Sequence, residues 1–159
     1  MKNDDVVRLF DLYANDLYRF ALSYLGSKQD AEDVVQDVYL KLLSKALFIR
    51  RDQEKAYLMK ITANACKDLL SSPVRKTSVD LESSTEEIIS VFDFTDDDQE
   101  VYRTLISLDD KLRIPIYLYY FHDYSYKEIS KILKLSESAV AMRIKRGKDQ
   151  LRDRLERLI

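Results

Sequence analysis

An all-α fold built from two small helical domains is what this sequence predicts, and three observations predict it. Only two Gly (Gly26, Gly147) and two Pro (Pro73, Pro115) occur in 159 residues, too few for the tight turns that β-rich and doubly wound folds need. Apolar residues recur at steps of three and four through long stretches, the spacing of helices with one buried face. Hydrophobic residues make up 46% of the chain, enough to bury a core in one medium domain or two small ones.

The first helix follows from Val6, Leu9, Phe10, Tyr13, Leu17, Phe20 and Tyr24, one stripe facing a core. Gly26 is suited to end it with a left-handed cap. A second helix begins near Asp30, with Ser27 or Asp30 available as cap. Ala31, Val34, Val35, Val38 and Leu42 are its buried stripe, and Asp33, Gln36 and Asp37 line up on another face. A third helix, about residues 54–70, buries Leu58, Ile61, Ala65 and Leu69. Its Tyr57, Lys60, Asn64 and Lys67 share a separate face. An aromatic ring, two cations and an amide suit stacking on an unpaired base while holding phosphates. The connector before it, Phe48-Ile49-Arg50-Arg51, is basic with an aromatic at its edge.

Charge divides the chain. Residues 1–78 carry 13 Lys/Arg against 11 Asp/Glu, residues 79–110 one against 11, and residues 111–159 12 against 6, within a net charge of −2. Residues 73–98 therefore read as an acidic, solvated linker that repels DNA phosphates, between an N-terminal helical bundle (1–72) and a basic C-terminal domain (99–159). A short packed helix over residues 86–94 is the alternative, since Ile88, Ile89, Val91 and Phe92 are apolar.

In the C-terminal domain, Val101, Leu105, Leu108 and Leu112 define one amphipathic helix. Residues 114–121 are an apolar and aromatic run that periodicity leaves open between helix and buried strand. Ser125 and Glu128 fit a capping box, opening a helix that buries Ile129, Ile132 and Leu133. After a tight corner at Lys134-Leu135, Ser136 caps a last helix. There Val140, Ile144, Leu151 and Leu155 face inward, and Ser138, Met142, Lys145 and Arg146 lie opposite. Short helix, tight turn and longer basic helix form a helix-turn-helix pattern, either a purely structural hairpin or one whose second helix enters the major groove of DNA.

What is missing narrows the chemistry. Two Gly are too few for a phosphate-cradling loop, and one His (His122) with one Cys (Cys66) cannot supply a four-ligand zinc site. No nucleophile, base and orienting group cluster, so no enzyme, cofactor or small-molecule substrate is expected. No apolar stretch approaches the ~20 residues that span a bilayer. The N-terminus lacks a signal-peptide profile and there is no Cys pair, so the expected compartment is the cytoplasm.

Three segments carry a family resemblance. DAEDVVQDVYLKLL at residues 30–43 resembles the acidic D-A-E-D-(L/V)-(V/I)-Q-(D/E) helix of extracytoplasmic-function sigma factors. YLMKITANACKD at residues 57–68 is similar to that family's W-L-x-x-I-A-x-N-x-x-x-(D/N) stretch, with Tyr57 in place of Trp. YKEISKILKLSESAVAMRIKRG at residues 126–147 resembles Y-x-E-I-A-x-I-L-G-L-S-x-G-T-V-K-S-R-L-x-R-A, and LDDKLR at residues 108–113 resembles L-P-x-x-x-R. Asp109 stands where the pattern has Pro, Lys134 where it has Gly, Ala139 where it has Thr, and Ala141 where it has a basic residue.

The resemblance implies a transcription-initiation factor and favours helix for residues 114–121. Asp33, Gln36, Asp37 and Leu40 would bind bacterial core RNA polymerase. Phe48, Arg50, Arg51, Tyr57, Lys60, Asn64 and Lys67 would hold the opened minus-10 element, and Ser136, Glu137, Ser138, Met142, Arg143, Lys145 and Arg146 would read the minus-35 duplex of promoter DNA. An anti-sigma protein is a further implied partner. The competing expectation is a stand-alone helix-turn-helix regulator, which would bind its operator without polymerase.

Overall fold

The structure is a computed structural model that describes residues 2–44, 49–73 and 83–157. The chain separates into two compact units, Met1–Ser83 and Ser84–Ile159, and the described secondary structure is helical throughout.

In the first unit α1 (Asn3–Leu25), α2 (Lys28–Ser44) and α3 (Glu54–Leu70) pack on one another, with a 3-10 turn (Arg51–Gln53) leading into α3. Gly26 ends α1 at φ 70°, the left-handed cap its missing Cβ permits, and its N–H donates to Leu22 O at 2.9 Å. Of the two caps the sequence offers, Ser27 opens α2, its Oγ accepting from Asp30 N–H at 3.2 Å. After the undescribed stretch, Ser83 returns to this corner: its N–H donates to Gly26 O (2.9 Å) and its Oγ accepts from Lys28 N–H (3.0 Å).

Leu17, Phe20, Leu42 and Leu58 are essentially sealed from water, each contributing about 1.5–3 kcal/mol of hydrophobic stabilisation. The expected stripe of α2 is buried as read, but that of α3 is rotated: Leu58, Met59, Thr62, Ala63 and Cys66 face the core, while Ile61, Ala65 and Leu69 are only half-buried. Because α3 touches both α1 and α2, its buried arc spans two adjacent rows. Phe10 is half-exposed, its ring meeting Tyr39 edge-on at 5.0 Å. Tyr39 belongs to the core and donates from its hydroxyl to Leu9 O at 3.0 Å. Cys66 is wholly buried, and burial pushes its thiol well above the ordinary range.

Polar contacts tie α1 to the start of α3, among them the Lys55–Asp16 ion pair at 3.3 Å. Arg8 grips the buried Glu54 in bidentate fashion, Nη2 to Oε1 at 2.6 Å and Nη1 to Oε2 at 2.9 Å. Hydrogen bonding to the guanidinium holds the Glu54 carboxyl below the usual range.

The second unit comprises α4 (Thr85–Ile89), α5 (Asp96–Leu105), α6 (Asp110–His122), α7 (Tyr126–Leu133) and α8 (Glu137–Arg157). Each start is capped by a short polar side chain that satisfies a first-turn N–H. Ser84 and Glu87 make a reciprocal capping box, as do Ser125 and Glu128. Thr95 accepts from Asp98 N–H, and Asp109 from Lys111 N–H. Asp109 thus serves as N-cap where the family pattern has Pro. The run at residues 114–121 is helical and contains Pro115; Ile114, Ile116, Tyr117 and Leu118 are buried.

Part of the stretch expected to be linker is folded. Ile88 and Ile89 are buried, and Phe92 and Phe94 stack at 4.4 Å and join Tyr102, Tyr117 and Phe121 in an aromatic cluster. Glu86 takes a bidentate grip from Arg103 at 2.8 and 3.2 Å. The acidic composition marks which side chains stay in water, since Glu86, Glu87, Asp93, Asp96 and Asp97 are all exposed. Four intervening apolar side chains nevertheless dock the backbone.

α8 packs against α5, α6 and α7. Its crossing with α6 is close because Gly147 is buried there: a Cβ at that position would run into the Ile116 side chain. Gly147→Val should therefore overpack the crossing and destabilise the second unit by about 1–3 kcal/mol, read as a lower midpoint in thermal or urea unfolding.

The Glu54 contact predicts a pH dependence. Its folded pKa lies below the unfolded value, so its stabilisation is fully present above the unfolded carboxylate range of about 4.3 and is lost as pH falls through the folded value. Urea unfolding of the first unit should show wild type losing more stability than Glu54→Gln between neutral pH and strongly acidic solution.

Candidate functional site

Packing leaves one face of several helices free. On α2, burying Ala31, Val34, Val35, Val38 and Leu42 turns Asp33, Gln36, Asp37 and Leu40 outward, and all four are exposed, Leu40 by 61%. Asp33 Oδ1 accepts from Gln29 Nε2 at 3.0 Å. Two carboxylates, an amide and an apolar side chain in one row match a partner that offers guanidinium groups beside a small apolar contact.

On α3, Tyr57, Lys60, Asn64 and Lys67 are all half-exposed. The structure draws two of them into a groove shared with α2, lined by Lys41, Leu42, Tyr57, Ile61, Asn64, Ala65 and Asp68. Lys60 and Lys67 are not among its lining residues. A ring, an amide and an ammonium in one groove suit the face and edge of an unpaired base, and the Asp68 carboxylate disfavours phosphate there. The contributions of Lys41, Ile61 and Asp68 were missed from the sequence, because they follow from how α2 meets α3 rather than from spacing along α3.

Before α3, Arg50 and Arg51 are exposed. Arg50 Nη2 pairs with Asp52 Oδ2 at 2.9 Å; both side chains lie in water, where such a pair is weak and readily exchanged. Phe48 lies outside the described residues.

The second unit presents the helix-turn-helix as α7, a turn and α8. Lys134 adopts φ 56°, ψ 48°, with its N–H donating to Ser130 O. A left-handed backbone at a residue bearing Cβ costs on the order of 1 kcal/mol. Ser136 then caps α8 by accepting from Ala139 N–H at 3.1 Å, and it shares a 3.2 Å hydrogen bond with Ser138 Oγ. The Ser136 hydroxyl is thereby committed to the helix start.

Glu137, Ser138, Met142, Lys145 and Arg146 are exposed, Met142 by 55%, on the side away from Val140, Ile144 and Leu151. Arg143 is half-buried. Exposed cations also run along α7 and the turn, at Lys127, Lys131 and Lys134, outside the helix whose spacing marks the DNA face. An exposed basic helix with a short polar N-terminus has the shape and charge to lie in a DNA major groove.

His122 is half-buried in the last turn of α6, with Nε2 3.2 Å from the Tyr117 hydroxyl. Among the described residues no group of three or more His, Cys, Asp or Glu is placed to hold a metal ion, and no helix is long and apolar enough to cross a membrane.

Comparison with known proteins assigns the family. Residues 9–75 match the model for Sigma-70 region 2, and residues 98–151 match that for Sigma-70, region 4. The chain is 29% identical to the ECF RNA polymerase sigma factor SigX of Bacillus subtilis, over 94% of this chain and 83% of SigX. It is 28% identical to SigM of the same organism, over 91% of each. Among solved structures it is similar in fold to the sigma factor RpoE of Bartonella quintana, in complex with the anti-sigma factor NepR (TM-score 0.69, 22% identity, 96% of this chain and 97% of that one). It is likewise similar to CnrH in complex with the cytosolic domain of CnrY (TM-score 0.69, 24% identity, 98% and 90%). With region 2 on the acid-striped three-helix unit and region 4 on the helix-turn-helix unit, the chain belongs to the extracytoplasmic-function family of RNA polymerase sigma factors.

Proposed function

We propose that the chain directs a bacterial core RNA polymerase to promoters in the cytoplasm, acting by binding rather than by catalysis, with its two units dividing the work. The observation that carries this reading is the pair of exposed, oppositely charged helix faces on two separately folded units: Asp33, Gln36, Asp37 and Leu40 on α2, and Lys145 and Arg146 on α8. The α2 row docks on core polymerase. Tyr57 and Asn64, in the groove with Lys41, hold an unstacked base of the minus-10 strand, while Arg50, Arg51, Lys60 and Lys67 meet phosphates. Glu137, Ser138, Met142, Arg143, Lys145 and Arg146 face the minus-35 duplex, with Ser136 holding the helix start that presents them.

Two sites on one complex reinforce each other, because engaging the first raises the effective concentration of the second. The exposed acids among residues 86–100 disfavour DNA binding outside that complex. An anti-sigma protein that masks these faces is a further partner; the similarity in fold to two sigma chains held in anti-sigma complexes supports it.

Run-off transcription with purified core polymerase over a promoter pool tests the reading, and failure to associate with core would overturn it. Arg146→Ala should weaken minus-35-dependent initiation by roughly tenfold, the scale of a base contact worth about 1–3 kcal/mol, with core binding unchanged in a pull-down. Asp37→Arg should instead reduce association with core polymerase at least about tenfold in a binding titration, since it places like charge against the partner.

A further inference from the structure

The corner between α6 and α7 holds a groove that promoter reading leaves unused. Tyr119, Tyr120, Asp123, Tyr124, Ser125 and Glu128 line it, and none of them belongs to the exposed face of α8. Tyr119 is 38% exposed and Tyr120 49%, a large aromatic surface left in contact with water.

Two acids line it, and a third, outside its lining, bonds one of its tyrosines. Asp123 is the left-handed cap of α6, φ 56°. Glu128 lies in the first turn of α7, where Oε1 accepts from Ser125 N–H at 3.0 Å. From α5, Asp98 Oδ1 accepts from the Tyr120 hydroxyl at 3.3 Å, with Asp97 beside it in the same first turn. Residues 111–159 carry 12 Lys/Arg against 6 Asp/Glu, so this is an electronegative aromatic patch on an otherwise basic stretch. Cation binding by these rings has a precedent within the unit: Lys148 Nζ lies 4.8 Å from the centroid of the Tyr119 ring.

We propose that this groove docks an arginine-bearing segment of a protein partner. A guanidinium lies flat on a tyrosine face and offers a planar fork of N–H donors to a carboxylate, a combination that a spherical ammonium does not reproduce. Nucleic acid is disfavoured as occupant, because Asp97, Asp98, Asp123 and Glu128 repel phosphate. Docking here leaves Ser138, Met142, Lys145 and Arg146 uncovered, so the helix-turn-helix unit can hold protein and duplex together.

The test uses the full chain, isotope-labelled for NMR, titrated with a capped hexa-arginine peptide and, separately, with hexa-lysine and hexa-glutamate peptides. Amide shifts concentrated at residues 119–128, arginine preferred over lysine by roughly threefold or more, and a fivefold to tenfold loss of affinity in Tyr119→Leu and in Asp123→Asn are expected. Asn tolerates the left-handed backbone, so Asp123→Asn should keep its unfolding midpoint and its binding to duplex DNA. Shifts centred instead on the α2 acids or on residues 86–93, equal affinity for the arginine and lysine peptides, or unchanged affinity in both variants would overturn the proposal. So would concentration-dependent self-association that Asp123→Asn abolishes, since the occupant would then be a second copy of the chain.

Discussion

Each candidate interface among the described residues exists because its helix has somewhere else to bury its apolar side. Helices as short as α7, with eight residues, are not stable alone in water; they persist because Ile129, Ile132 and Leu133 are sealed against α6 and α8. That constraint orients what remains. Once α2 commits its valines to the bundle, Asp33 and Asp37 must point outward, and once α8 commits Val140, Ile144 and Leu151, Lys145 and Arg146 must. Polar contacts refine the arrangement at chosen points: the Arg8 grip on Glu54 fixes where α3 begins, and the cap side chains fix where α4 to α7 begin.

Legibility in the sequence followed how many neighbours a helix has. The stripe of α2 stands out because its buried residues fall on one face at regular spacing. In α3, contact with both α1 and α2 admits Met59, Thr62 and Ala63, and a single-stripe reading chose Ile61 and Ala65 instead. Tyr102 was overlooked beside Val101 for a related reason: its polar tip hides the fact that its ring anchors an aromatic cluster. Capping boxes were readable where Ser is followed three residues later by Glu, as at Ser125. The equivalent signal at Ser84 was submerged in a run of acids.

The same distinction applies to the candidate interfaces. Exposure of Asp33, Gln36, Asp37, Lys145 and Arg146 was recoverable from periodicity, because it is a property of one helix. The groove that gathers Lys41 with Tyr57 and Asn64 was not, because it depends on the packing of two. Departures from the family pattern also acquire physical content. Asp109 takes over a helix start as a cap, Lys134 accepts a strained backbone to add a cation at the turn, and Gly147 lets two helices approach where the pattern has Ala.

The sealed position of Cys66 has a consequence for signalling. Oxidants and electrophiles attack the thiolate form of accessible sulfur, and this sulfhydryl is both buried and held protonated. With one Cys in the sequence, these residues offer no pair for a disulfide switch either. If thiol oxidation alters the output of this factor, the sulfur that reacts belongs to another molecule and the signal arrives as a change in binding.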